Sequence, residues 1–185
     1  TIVNQVKVLR GMVNAFGEFA EEPTLTIESF NIINVIKESV SLYSKRDSKK
    51  IFKLSFHSEE CVVQADEQKL RQVFNNLIKN ALDATVDTTS PIINIKTSNL
   101  KINNEAYIEL TISDNGQGFE PDIVGNAFEP YVTTKTKGKG LGLAIVKHII
   151  EEHMGHIELT NKKAQGASVI IILPVLQPKK DRSNE

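Results

Sequence analysis

The sequence has almost no cysteine: Cys61 stands alone among 185 residues. One thiol excludes an internal disulfide framework and fits a reducing cytosol. Net charge is also nearly absent, −1 at pH 7, so bulk electrostatics give a nucleic-acid partner no support. Long apolar runs are missing. The longest, Val169-Ile170-Ile171-Ile172-Leu173, falls far short of the ~20 residues that a spanning helix needs. No signal-peptide pattern opens the chain, and no internal repeat is evident. What remains is enough for one ordinary domain with a real core plus a short extra element. Thr1 begins inside an apolar pattern. The expectation is a cytoplasmic piece of a longer protein, whose membrane anchor, if it has one, lies elsewhere.

Ile2, Val6, Leu9, Val13 and Phe16 recur in steps of four and three, the stripe of a packed or coiled helix. Pro23 ends it. Such a stripe either packs on the rest of the chain or joins an intermolecular bundle, and the second use is favoured. Leu25 and Ile27 alternate with polar residues as a short strand. A helix follows from about Phe30 to Tyr43, with Phe30, Ile33, Ile36, Val40 and Tyr43 on one face. Phe52, Leu54 and Phe56 read as a strand, and Cys61 to Ala65 as its partner across a polar turn at His57 to Glu60. Asp66 is placed to cap a helix that reaches about Ala84. Strands follow at Ile93–Ile95 and Ile108–Ile112, the latter running into Asp114. A helix from about Leu141 to Met154 precedes a hairpin of Ile157–Leu159 and Ala167–Leu173. The tail after Pro178 reads as disordered. The whole is a mixed α/β layer preceded by one separate helix.

The helix after Asp66 carries an unusual row. Leu70, Val73, Phe74, Leu77, Ile78, Ala81 and Leu82 form a wide apolar face. At about 100° per residue, Gln72, Asn76, Asn80 and Asp83 fall in a narrow stripe on its border. Asparagine is a poor helix former, so two of them one turn apart cost stability. Amide oxygens suit a hard cation such as Mg²⁺, which takes its other ligands from water and phosphate. A plain polar flank explains the row equally well when it is taken alone.

Asp114-Asn115-Gly116-Gln117-Gly118-Phe119 ends a strand. Its glycines let backbone approach a ligand closely. A carboxylate there accepts a hydrogen bond from the exocyclic amine of adenine, whereas guanine would set acceptor against acceptor. Asp-Asn-Gly is also ordinary turn chemistry, so alone the motif is weak. It is not a calcium loop, because the alternating carboxylates and the closing Glu are missing. Further on, Thr134-Lys135-Thr136-Lys137-Gly138-Lys139-Gly140-Leu141-Gly142-Leu143 interleaves lysines and glycines before a helix. Helix N-termini and ammonium groups attract phosphate. The spacing is neither a P-loop nor a dinucleotide fingerprint. The readings are a solvated loop or a mobile phosphate-binding lid.

Together and in this order, these segments resemble the histidine-kinase branch of the ATPase superfamily that includes gyrase, Hsp90 and MutL. The amide helix resembles its N box, Asp114 to Gly118 the first glycine box, Phe128 to Tyr131 the phenylalanine box, and Gly138 to Gly142 the second glycine box. Gly166-Ala167-Ser168 is similar to a variant final box. The wording of Phe128 to Lys137 and of Gly140 to Lys147 is closest to nitrogen-regulation sensor kinases. The resemblance implies a two-layer α/β sandwich of the Bergerat type at residues 31–176. Residues 1–22 would be the second helix of a dimerisation hairpin, 23–30 a linker and 177–185 the tail. It implies ATP and Mg²⁺ as ligands, with a protein-histidine kinase activity that feeds a response-regulator aspartate. The full-length protein would be a homodimer.

Residue by residue, Asn80 is similar to the family's Mg²⁺ ligand and Asp114 to its adenine-binding aspartate, with Gly116 and Gly118 in the adjoining turn. Lys135, Gly138, Lys139, Gly140, Leu141, Gly142 and Leu143 would form the lid and phosphate cradle, and Ser168 would lie beside the nucleotide. Asn76 and Asn80 would be the catalytic amides. Asn76 stands where gyrase and Hsp90 relatives carry a water-activating glutamate, and an amide cannot act as that base. Slow hydrolysis and transfer to an external acceptor are therefore expected. Asp83 occupies a position where many kinases have lysine. The acceptor histidine is expected on the first hairpin helix, since His57, His148, His153 and His156 sit in no matching context. His153 and His156 lack the third ligand of a metal site. Two other classes stay open: a nucleotide-sensing module acting by contact, and a gyrase-type hydrolytic ATPase.

Overall fold

The computed structural model describes residues 25–44, 51–133, 140–162 and 165–175. The opening stripe, Pro23, Thr134 to Lys139 and the tail lie outside these residues. In chain order the elements are β1 (Glu28–Asn31), α1 (Ile32–Ser44), β2 (Phe52–Phe56), β3 (Val62–Ala65), α2 (Glu67–Ala84), β4 (Ile93–Ile102) and β5 (Glu105–Asp114). A single turn α3 (Pro121–Val124), α4 (Gly142–Glu152), β6 (His156–Asn161) and β7 (Ala167–Pro174) complete them.

Five strands form a mixed sheet in the order β2-β4-β5-β7-β6, parallel between β2 and β4 and antiparallel elsewhere. Alternation along the central strands sends Ile108, Leu110 and Ile112 of β5 and Val169, Ile171 and Leu173 of β7 into the core. The helices supply the second layer. Leu70, Val73, Phe74, Leu77 and Ile78 of α2 are buried there, joined by Ile33 and Ile36 of α1 and Val146, Ile149 and Ile150 of α4. This is the two-layer α/β sandwich expected from the sequence. Burying each of these large side chains contributes about 1.5–3 kcal/mol before the entropy of ordering it is subtracted. Among the described residues, no helix is long and apolar enough to cross a membrane.

Three expectations need correction. The strand at Phe52–Phe56 does not pair with Cys61–Ala65. It lies parallel to β4, Phe52 opposite Ile93 and Phe56 opposite Thr97, while β3 pairs with β1 in a separate two-stranded sheet. Asn31 decides the outcome. Its Oδ1 accepts from the backbone N–H of Cys61 at 3.1 Å, and its Nδ2 donates to the Glu59 carbonyl at 2.9 Å, which fixes the 59–61 segment beside β1. The same Oδ1 accepts from the Ile33 N–H at 3.1 Å. An asparagine in that role starts a helix after itself, so α1 begins at Ile32 rather than Phe30. Finally, residues 28–30, assigned to a linker, are a strand of the folded body, because Glu28 pairs with Ala65 and Phe30 with Val63.

Asp66 caps α2 as its sequence position requires: its Oδ1 accepts from the Lys69 N–H at 3.0 Å. Its Oδ2 accepts from the Thr26 N–H at 3.1 Å. Asp66 also donates its own N–H to His153 Nε2 at 2.9 Å, while His153 Nδ1 faces the Ile149 carbonyl at 2.7 Å. A backbone N–H can only donate and a carbonyl can only accept. The imidazole therefore carries its proton on Nδ1, and both nitrogens are engaged. Desolvation works against the Asp66 carboxylate, but the N–H groups of Lys69, Thr26 and Gln68 outweigh it and hold its pKa below the ordinary value. A depressed carboxylate contributes stability that is complete above its unfolded pKa, about 4. That contribution is lost as pH falls through the depressed folded value. Asp66→Ala should therefore cost about 0.5–2 kcal/mol at pH 7. In urea unfolding the gap to the parent should narrow as the pH is lowered below about 4. A gap unchanged between pH 7 and pH 3 counts against the cap.

Candidate functional site

The border stripe on α2 is real in three dimensions. Gln72, Asn76 and Asn80 are half-buried, and Asp83 at the end of the row is exposed. The row faces α4. A Cβ placed on Gly142, the first residue of α4, would lie 3.8 Å from Asn76 Oδ1. Leu141 precedes that helix and gives it no side-chain cap, so no N-cap side chain occupies the first N–H groups. The N-terminus of α4 and the amide of Asn76 thus adjoin.

Two turns along α2, the other end of the row meets the aspartate–glycine turn. The Ala84 carbonyl accepts from the Gln117 N–H at 3.3 Å. Gly116 packs so closely that an added Cβ would come within 2.2 Å of Ala84 O. The glycine is thus required by contact with the helix end. Asp114 is 6% exposed, and its Oδ1 accepts from the Gly116 N–H at 2.8 Å and the Ala167 N–H at 3.4 Å. These bonds fix the orientation of the carboxylate. Asn115 secures the other flank: its Oδ1 accepts from Ile92 N–H at 2.8 Å and its Nδ2 donates to the Ser90 carbonyl at 2.9 Å. A polar cavity of about 400 Å³ lies between Asp83, at the end of the row, and this turn, and Asn76, Asn80 and Asp114 are not among its lining residues. Asp83, Ala84, Asn115, Gln117 and Gln165 are among its lining residues.

Gly118 adopts φ +75°, a conformation that favours glycine. Gly140 adopts φ +65° and its carbonyl accepts from the Tyr131 N–H at 2.9 Å. The residues on either side of the lysine segment are thereby joined. Lys135, Gly138 and Lys139 lie outside the described residues, whereas Gly140, Leu141, Gly142 and Leu143 lead into and begin α4.

Ser168 is not brought to the site. It pairs with Ser113 and Thr160 on the sheet face turned away from the helices, and the residue beside Asp114 is Ala167. The two-residue period of the buried Val169, Ile171 and Leu173 carries this information, because it assigns Ala167 to the inner face. Sequence reasoning also missed Asn161 and the bracing side chain of Asn115. Of the histidines once weighed as a metal pair, His153 is buried with both ring nitrogens in hydrogen bonds, and His156 is exposed on β6.

A mixed sheet layered on helices, an amide row opposite an uncapped helix start, and a strand-end aspartate locked over a glycine turn define one class of nucleotide-handling domain. The chain belongs to the histidine kinase-, DNA gyrase B-, and HSP90-like ATPase family, whose model matches residues 65–177. It is 33% identical over 92% of its length to an NtrY-like sensor histidine kinase of Rickettsia bellii, of which it covers 27%. It is 33% identical over 94% of its length to the sensor histidine kinase ZraS of Salmonella typhi, of which it covers 37%. Among solved structures it is similar to histidine kinase ThkA in complex with response regulator protein TrrA, with a TM-score of 0.74 and 26% identity. That likeness covers 95% of this chain and 49% of ThkA. The chain thus spans about a quarter to a third of the curated relatives it matches.

Proposed function

We propose that this chain binds Mg·ATP and presents the γ-phosphate to a histidine on the dimerisation domain, for relay to a response-regulator aspartate. The observation that carries the reading is that α2 touches both halves of the site: Asn76 adjoins the start of α4, and Ala84 holds the turn that follows Asp114. From Asn76 to Ala84 the helix rises about 12 Å, so a ligand with a base at one end and phosphates at the other matches the span in kind.

In this reading Asp114 accepts a hydrogen bond from the adenine amine, on a carboxylate whose Oδ1 is held by Gly116 and Ala167. The α4 N-terminus, with Gly140, Leu141 and Gly142, receives phosphate oxygens. Lys135, Gly138 and Lys139 are assigned to the same cradle. The donor chemistry on α2 fits Mg²⁺: Asn80 supplies a neutral amide oxygen, and Asn76 lies one turn away. Bound Mg²⁺ would offset the charge of the phosphates, and the residues of this chain position them. Asn76 offers no general base, which favours transfer over hydrolysis. Residues 1–22 are assigned to the second hairpin helix and 177–185 to a tail. The full-length protein is assigned as a homodimer that acts in the cytoplasm. That ThkA was solved with TrrA supports a response regulator as the partner class.

Titrating the chain with a non-hydrolysable ATP analogue, with and without Mg²⁺, tests this. Asn80→Ala should weaken binding about tenfold, roughly 1.4 kcal/mol, when Mg²⁺ is present and leave the Mg²⁺-free affinity nearly unchanged. Supplying the hairpin helix with its histidine should then yield phosphohistidine. Steady multiple-turnover hydrolysis without phosphohistidine would favour the hydrolytic class, and no binding at all would end the proposal.

A further inference from the structure

Asn161, the last residue of β6, makes a contact that sheet formation does not require. Its Oδ1 accepts from the Phe119 N–H at 2.9 Å, and its Nδ2 donates to the Phe119 carbonyl at 2.7 Å. Both backbone groups of one residue, 42 positions away, are held by one carboxamide. Few side chains can do this. Aspartate brings acceptors only, serine has one short oxygen, and glutamine is one methylene longer.

The contact belongs to a larger grip. Lys162, next in the chain, donates from Nζ to the Asp114 carbonyl at 3.3 Å and bonds through its N–H to the Gly166 carbonyl at 2.9 Å. Gly166, at φ +93°, lies so close that an added Cβ would sit 2.2 Å from Asp114 O. Gly118 has no more room: a Cβ there would lie 3.0 Å from Asn161 Oδ1 and 3.2 Å from Gly166 O. The β6–β7 hairpin therefore holds the turn at both ends, at Asp114 through Lys162 and Ala167 and at Phe119 through Asn161.

We infer that Asn161 is a positioning residue for nucleotide: its two-sided bond to Phe119 sets the 114–119 turn and with it the base-recognition end of the site. The inference rests on the nucleotide-binding reading above. Asn161 touches no ligand in this account and acts through the backbone of Phe119. Because the turn serves the base, the loss on removing the clamp falls on adenosine as much as on the triphosphate.

The experiment compares the parent chain with Asn161→Ala, Asn161→Asp and, as a control on the same strand, Thr160→Ala. A non-hydrolysable ATP analogue with Mg²⁺ and adenosine alone are titrated at a temperature where every variant is folded by circular dichroism. Asn161→Ala should weaken both ligands by the same factor, about tenfold, and speed amide exchange at Phe119. Asn161→Asp, which keeps the acceptor and loses the donor, should fall between it and the parent, and Thr160→Ala should match the parent. Should Asn161→Ala prove unfolded, Asn161→Asp carries the same comparison. If the Asn161 variants bind both ligands as the parent does, the clamp does not position the turn, while the nucleotide reading stands. A loss confined to the triphosphate also overturns the inference. If the parent binds neither ligand, the nucleotide reading fails and the inference falls with it.

Discussion

Asp114→Asn should weaken binding of an ATP analogue by about 10- to 100-fold while the fold persists. An amide at this position still accepts from the Gly116 N–H through Oδ1, so the bond that shapes the turn survives. On the ligand side the change is one of sign. An amide nitrogen set against the adenine amine opposes donor to donor, and the charge-assisted bond, worth about 1.5–3 kcal/mol, is gone. Each 1.4 kcal/mol is about a factor of ten in affinity. The same amide can donate to the carbonyl oxygen of guanine, so the preference for ATP over a GTP analogue should narrow. Calorimetric titration of both nucleotides, with a thermal melt beside it, checks this. An ATP affinity within threefold of the parent would remove Asp114 from the site.

The largest loss of stability is expected at Gly166→Ala. The residue sits at φ +93°, where an L side chain is strained by about 1–3 kcal/mol. The new methyl would also lie 2.2 Å from Asp114 O and 2.8 Å from Asn115 Cα. These are backbone atoms that no rotamer change can move aside, and overpacking of this kind adds about 1–3 kcal/mol. The sum of about 2–6 kcal/mol should lower the melting temperature by roughly 4–24 °C. Relief of the clash would displace Asp114, so the surviving folded fraction should also bind nucleotide poorly. A melting temperature within about 2 °C of the parent means that the hairpin tip yields freely.

Much of the site was legible because its signals are periodic or local. The 3.6-residue repeat placed Asn76 and Asn80 on the border of a buried face, and the structure leaves both half-buried. Asp66 announced a helix start, and the alternation of Ile108, Leu110 and Ile112 into Asp114 announced a strand end. What sequence missed depends on pairing at a distance. Phe52–Phe56 and Cys61–Ala65 are neighbours along the chain, and neighbouring strands usually pair, yet the Asn31 amide commits the second to β1. Ser168 was taken from the likeness of Gly166-Ala167-Ser168 to a final glycine box, where the alternation of Val169, Ile171 and Leu173 sets Ala167 on the inner face. Asn161 looks like any polar residue before a turn, and no local pattern reveals that its amide spans to Phe119.

The corner at Asp66 has a mechanical consequence. His153 ties the end of α4 to the start of α2, and the opposite end of α4 brings Gly142 beside Asn76, midway along α2. The pair is arranged like tongs, with a fulcrum far from the jaws. Eleven residues make α4 about 16 Å long, so a tilt of about 5° at the fulcrum would carry Gly142 by about 1.4 Å. Displacements of about 1 Å are enough to spoil reacting geometry. A hydrogen bond between one imidazole and one backbone N–H thus sits at the pivot of these two helices, and Thr26 is bonded to the same aspartate.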